Sequence, residues 1–203
     1  MTSEIILQLK RHAPFTALGT LTGIAIMLVM SAVNASRGVS ETLFWGLHPL
    51  HVLLSAFVTA AMYRIHSPGK LWQAIFIGYV GSVGIATVSD SLIPFVGEWL
   101  LGLPNRGWHI GFIEKWWLVN PMSFIGIAMA YKWSETRIPH AGHVFLSTWA
   151  SLFHMTMALG GALDLWTVAV AAIFLFLAVW IPCCTSDIVF PLLWVAGDKG
   201  AAG

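Results

Sequence analysis

Six long apolar runs, Pro14–Val33, Phe44–Tyr63, Leu71–Phe95, Trp116–Trp133, His143–Gly161 and Leu165–Val195, fill most of this 203-residue chain. A helix needs about 20 apolar residues to cross the hydrocarbon core of a bilayer. Inside that core every backbone polar group must be paired within the segment, which favours helices. The runs therefore predict an all-α polytopic membrane protein with six transmembrane helices. Composition supports the same reading: 58% of residues are hydrophobic and only 9% charged, where a soluble domain has about 25% charged. A soluble domain of this size buries only about 70% of the surface its unfolded chain exposes, too little to hide so much apolar side chain. Disorder is excluded on the same ground. A net charge of +1 with no basic patch excludes a nucleic-acid partner.

The segment Met1–His12 is too polar for a signal-peptide core, so the first run is expected to remain as a span. Ile5, Ile6, Leu7 and Leu9 are expected to lie at the interface as a short amphipathic turn. The connections set the orientation through their Lys and Arg. With the N-terminus cytoplasmic, Lys10, Arg11, Arg64, Lys70, Lys132, Arg137 and Lys199 fall inside, and Arg37, Arg106 and Lys115 outside. This asymmetry predicts an integral membrane protein with both termini cytoplasmic, the bacterial inner membrane being the expected location. The Glu98–Lys115 connection then lies outside, with Trp99, Trp108, Trp116 and Trp117 as an aromatic belt.

The chain also carries an internal repeat. Residues 48–56 read HPLHVLLSA and residues 140–148 read HAGHVFLST, identical at five of nine positions. Leu71-Trp72 is echoed by Leu165-Trp166, and Ser89-Asp90-x-x-x-Pro94 by Ser186-Asp187-x-x-x-Pro191. Gly23-Ile24-Ala25 is echoed by Gly126-Ile127-Ala128, and the offsets run from 92 to 103 residues. Polar landmarks recurring in order argue for duplication: residues 1–103 as a first three-span repeat and residues 104–203 as a second, within one membrane domain. Three spans is an odd number, so the second unit is inverted relative to the first, as in many transporters. The third and sixth runs exceed one crossing, and each has a proline near its end. Proline lacks a donor and clashes with the preceding turn, so these helices are expected to break near Pro94 and Pro191. Ser89, Pro94, Ser186 and Pro191 are the expected hinge or gating residues.

Ionisable residues inside a span are costly and point to function. Here they are His48, His51, Asp90, His143, His154 and Asp187, with His140 just outside the fifth run. His-x-x-His places two imidazoles on one helix face. Neutral imidazole is a common metal ligand, and a carboxylate supplies the charge a divalent cation needs. The first repeat thus offers His48, His51 and Asp90, and the second His140, His143 and Asp187. Cys183 and Cys184 lie within one turn of Asp187 and would bias that side towards a softer metal. They have no counterpart in the first repeat. The structural alternative is that the histidines mark helix starts beside Pro49 and Pro139, and that Ser and Asp satisfy backbone groups freed by the prolines. His154 lacks a repeat partner and is expected to be hydrogen-bonded inside the bundle. Gly78, Gly81 and Gly84 form a small-residue stripe suited to close helix packing.

These residues predict a small secondary transporter or channel for a divalent transition-metal ion, with zinc, iron, manganese and copper not distinguished. Two alternatives remain: a b-type haem redox protein with a histidine pair as axial ligands, and an intramembrane metalloenzyme whose metal activates water. Besides lipid, the partners open to such a chain are a second copy of itself or another membrane subunit. No phosphate-binding loop or dinucleotide motif is present, so coupled transport must draw on a gradient or a partner.

Overall fold

The computed structural model describes residues 2–66, 70–133, 137–160, 163–185, 189–191 and 193–194, with side chains described except at 2–9, 11, 12, 137–140 and 184. Its elements are helical, and no strand occurs among the described residues. In chain order the helices are α1 (Thr2–Ala32), α2 (Arg37–His66), α3 (Leu71–Leu100), the single turn α4 (Gly111–Glu114), α5 (Trp116–Lys132), α6 (Arg137–Ala158) and α7 (Leu165–Cys184). Six of these seven fall on the six apolar runs. Among the described residues four are long and apolar enough to cross a membrane, α1 over Ala13–Ala32, α2, α3, and α7 over Leu165–Cys183, fewer than the six spans expected. α1 differs from expectation, because it is one continuous helix from Thr2 with Pro14 inside it, rather than an interfacial turn followed by a span.

α2 is the axis of the molecule, with α5 and α6 packed along it and α3 alongside. The reason is the size of its side chains. Ala56, Ala60 and Ala61 are buried against Ile127 and Ala130 of α5, and Gly126 brings the α5 backbone onto the Leu53 carbonyl and Ala56. Small residues let helices approach closely where lipid offers no hydrophobic drive to associate. The expected glycine stripe behaves this way at two positions: Gly78 meets Ile127 and Ala60, and Gly81 meets Thr59 and Phe190. Gly84 faces open space. α1 and α7 lie together against α6, where Met27, Leu152, Met155 and Leu175 join Phe44 in the largest apolar cluster.

α3 does not break at Pro94. The helix runs through it and widens into two π-helical turns, Val80–Gly84 and Val88–Leu92. The Ile93 N–H reaches back five residues to the Val88 carbonyl. The wider turn carries the backbone past a residue that cannot donate, so distortion replaces the break. A hydroxyl covers one nearby carbonyl: Thr87 donates to Val83 at 2.7 Å. The expected break at Pro191 lies next to residues 186–188 and 192, outside the described residues; Pro191 itself is helical and buried.

One end of the bundle carries the α1–α2 turn, residues 101–110, residues 159–160 and residues 163–164, tied by the Asn105 N–H on the Ala158 carbonyl. Trp99, Trp108, Trp116, Trp117 and Trp166 are exposed. Asp164 caps α7, its carboxylate accepting the Thr167 N–H at 2.7 Å. The Thr167 side chain and then its backbone hold the Asp164 carboxyl below the ordinary carboxylate range. A depressed folded pKa gives stabilisation that is full above the unfolded value of about 3.9 and lost as pH falls through the folded value. Asp164→Ala is therefore expected to lower the thermal midpoint in detergent at pH 7. The difference should vanish towards pH 2, and a gap independent of pH would contradict the assignment.

Candidate functional site

The polar stripe on α2 is set by helical spacing. Phe44, His48 and His51 project on one face, and all are buried. α3 lays Asp90 against this face at its second π turn. Both imidazoles turn Nδ1 to the same carboxylate oxygen: His48 lies 2.9 Å and His51 2.7 Å from Asp90 Oδ2. The other oxygen, Oδ1, accepts from Ser89 Oγ at 2.6 Å and from Ser147 Oγ of α6 at 2.9 Å. Ser151 Oγ, one turn beyond Ser147, donates to the Ser89 carbonyl at 3.0 Å. Asp90 thus receives four hydrogen bonds from three helices, its full acceptor capacity. An ionised carboxylate only accepts, so each Nδ1 carries a hydrogen and each Nε2 is left as the second functional nitrogen. His48 Nε2 is buried without a hydrogen-bond partner. It faces Gly111, where any side-chain carbon would collide with the ring.

The second half of the chain meets this cluster at His51. The His51 and His143 rings stack at 5.7 Å between centroids and 10° between planes. Cys183 of α7 approaches both, and the ligand atoms of His51, His143 and Cys183 lie within 4.8 Å of one another, all buried. Cys183 is held by Val144 and Val179, and Gly142 leaves room beside Leu54 on α2.

A further buried pair lies on the other side of Phe44. Glu98, on the last turns of α3, sets Oε1 2.6 Å from His154 Nδ1, both side chains having no solvent exposure. The 101–110 segment folds back over them: the Gly107 N–H lies 3.4 Å from Glu98 Oε2, and the Trp108 carbonyl lies 3.5 Å from His154 Nε2. His109, with φ of 41°, turns its ring to His154 at 5.3 Å. Phe44 touches both groups, stacked on His48 at 5.3 Å and edge-on to His154 at 5.4 Å.

His48, His51 and Asp90 are brought together, with Ser89 bound to Asp90 and Pro94 one turn away and buried. His143 and Cys183 join them at His51. The side chains of His140 and Cys184, together with Ser186 and Asp187, lie outside the described residues. His154 is hydrogen-bonded inside the bundle, as expected. Glu98 corrects the reading: it is a fully buried helical residue, not the first residue of the connection to Lys115, because the helix continues to Leu100 and the 101–110 segment covers it. Ser147, Ser151, Glu98 and His109 were not anticipated. Ser147 carried a signal, since it matches Ser55 within the repeated motif. No family model, curated protein or solved structure matches this chain.

Proposed function

We propose that this chain is a small secondary transporter or channel for a divalent transition-metal ion, built as two inverted three-helix repeats and working in a lipid bilayer. One observation carries the reading: His51 of the first half and His143 and Cys183 of the second converge, buried, with their ligand atoms within 4.8 Å. Imidazole nitrogen and thiolate sulfur suit zinc and softer metals. A site assembled from both halves is where a midplane substrate site belongs in an inverted-repeat transporter. Repetition of the Ser-Asp motif supports the plan. Asp90 lies in a π turn; Ser186 and Asp187 of the second motif lie outside the described residues.

The hydrogen bonds favour a positioning role for Asp90 over direct ligation. Its acceptor sites are taken by two histidines and two serines, so it fixes the tautomer and orientation of His51 and balances charge behind the metal. Such carboxylate–histidine–metal arrangements typically raise affinity about 10–100-fold. The haem alternative is less favoured. Axial histidines must aim their nitrogens at one iron across a macrocycle, whereas His51 and His143 lie face to face at 5.7 Å.

The test is metal flux in proteoliposomes loaded with a zinc-sensitive dye. Wild-type protein is expected to admit zinc, and His51→Ala and His143→Ala to lose most of the flux. Cys183→Ser should shift preference away from zinc and cadmium towards manganese, as oxygen replaces sulfur. Zinc entry at equal rates in wild type, His51→Ala and His143→Ala would sink the proposal.

A further inference from the structure

The Glu98–His154 pair has no part in the proposed metal site, and Phe44 separates it from the Asp90 cluster. A carboxylate and an imidazole buried without exposure in a membrane bundle are costly structural elements. Their surroundings are specific. His154 meets an acceptor at each ring nitrogen, the Glu98 carboxylate at 2.6 Å and the Trp108 carbonyl at 3.5 Å. Donors at both nitrogens exist only in the doubly protonated ring. The pocket is thus shaped to hold one proton more than a neutral histidine beside an ionised glutamate.

A route to water is present. His109 packs edge-on to His154 at 5.3 Å, and its Nε2 is buried without a partner. Its Nδ1 lies 3.5 Å from Glu114 Oε2, and the Glu114 side chain is 44% exposed. Glu114, His109, His154 and Glu98 therefore form a row from solvent to a buried carboxylate. Other titratable groups on the surrounding elements include His48, beyond Phe44, Lys115, placed over the Trp45 ring at 5.7 Å, and Arg106, exposed next to Gly107.

Resting on the transport reading above, we infer that Glu98, His154 and His109 form a proton site that couples metal movement to a proton gradient. A proton arriving from Glu114 is taken by His109 and handed to His154 Nε2. His154 in turn releases its Nδ1 proton to Glu98, so each imidazole ends neutral and the carboxylate holds the proton. Metal and proton then occupy different pockets on opposite sides of Phe44.

The experiment uses the full chain in vesicles loaded with a pH-sensitive dye, with a zinc gradient imposed and zinc binding measured separately by elemental analysis. Wild type should move protons with zinc. Glu98→Gln keeps a side chain able to hydrogen-bond Gly107 and His154 but cannot ionise. It should bind zinc at wild-type stoichiometry and keep its thermal midpoint, while proton movement falls to background. His154→Gln should do the same. Zinc flux without proton movement in wild type, or unchanged proton movement in Glu98→Gln, overturns this inference and leaves the metal reading standing. Absence of zinc flux and binding in wild type overturns the metal reading instead. In that case an imposed membrane potential in metal-free vesicles decides the proton site: a proton current abolished by Glu98→Gln supports it, and no such difference overturns it.

Discussion

Replacing Asp90 by alanine is expected to lower the unfolding free energy in detergent by about 3–5 kcal/mol, the range for breaking a buried charged network by removing one partner. The carboxylate joins α2, α3 and α6 at one level of the bundle. It accepts from His48 and His51 on one oxygen and from Ser89 and Ser147 on the other. Alanine leaves the two imidazole N–H groups without their acceptor, while Ser89 and Ser147 can turn to the Ala86 carbonyl and the Ser89 hydroxyl, each 3.3 Å away; each unsatisfied group costs about 1–3 kcal/mol before relaxation. Asparagine separates charge from hydrogen bonding. Its amide oxygen can face the two imidazoles while its NH2 faces the serine oxygens, which can accept. Asp90→Asn should thus retain much of the stability and, under the proposed metal reading, lose zinc affinity by about 10–100-fold, the range for changes to groups that orient a metal-binding histidine. Chemical unfolding in micelles measures the first effect and competition with a zinc chelator the second. An alanine variant within about 1 kcal/mol of wild type would mean that the network does not hold the helices together.

The second large effect is expected at Gly126. A β-carbon there would run into the Leu53 carbonyl on α2 as well as Ala56. A backbone carbonyl cannot turn aside as a side-chain tip can, so Gly126→Val must part α5 from α2. Overpacking typically costs about 1–3 kcal/mol and more where relief requires backbone movement. Leu53 is two residues from His51, so the displacement reaches the site as well. The expected result is a thermal midpoint lowered by several degrees together with weakened zinc binding. Gly84→Val, where nothing lies within 4 Å of the added carbon, serves as the comparison on a neighbouring helix. Equal midpoints for the two variants would show that the close approach is not needed.

Much of this was legible in the sequence, for identifiable reasons. Apolar runs at membrane length gave the long helices because length and polarity leave few other structures in lipid. His48, His51 and Asp90 stood out because polar groups are rare in such runs, and a three-residue spacing puts both imidazoles on one face. Glu98 was misplaced because an acidic residue at the edge of an apolar run reads as the start of a loop. Its burial depends on residues 101–110 folding back, with Gly102 and His109 at positive φ, and no local pattern encodes that. Pro94 announced a disturbance in α3 without stating its form. The approach of Cys183 to His51 depends on how α7 is rotated in the bundle, which is decided by distant contacts with α1 and α6.

The π turns of α3 have a consequence for which sequence changes this helix can absorb. A π turn holds one residue more than the α-helical turn it replaces. The helix before it and the helix after it therefore keep the phase of an uninterrupted helix, and only the residues inside are shifted. Loss of one residue between 88 and 92 would close the turn while leaving Gly78 and Glu98 facing their present neighbours. The polar residues of the turn, Ser89, Asp90 and Ser91, would be re-aimed. Insertions and deletions in this short window can thus change the chemistry while the packing of the helical scaffold stays the same, which makes it the place where descendants of such a chain could diverge in function.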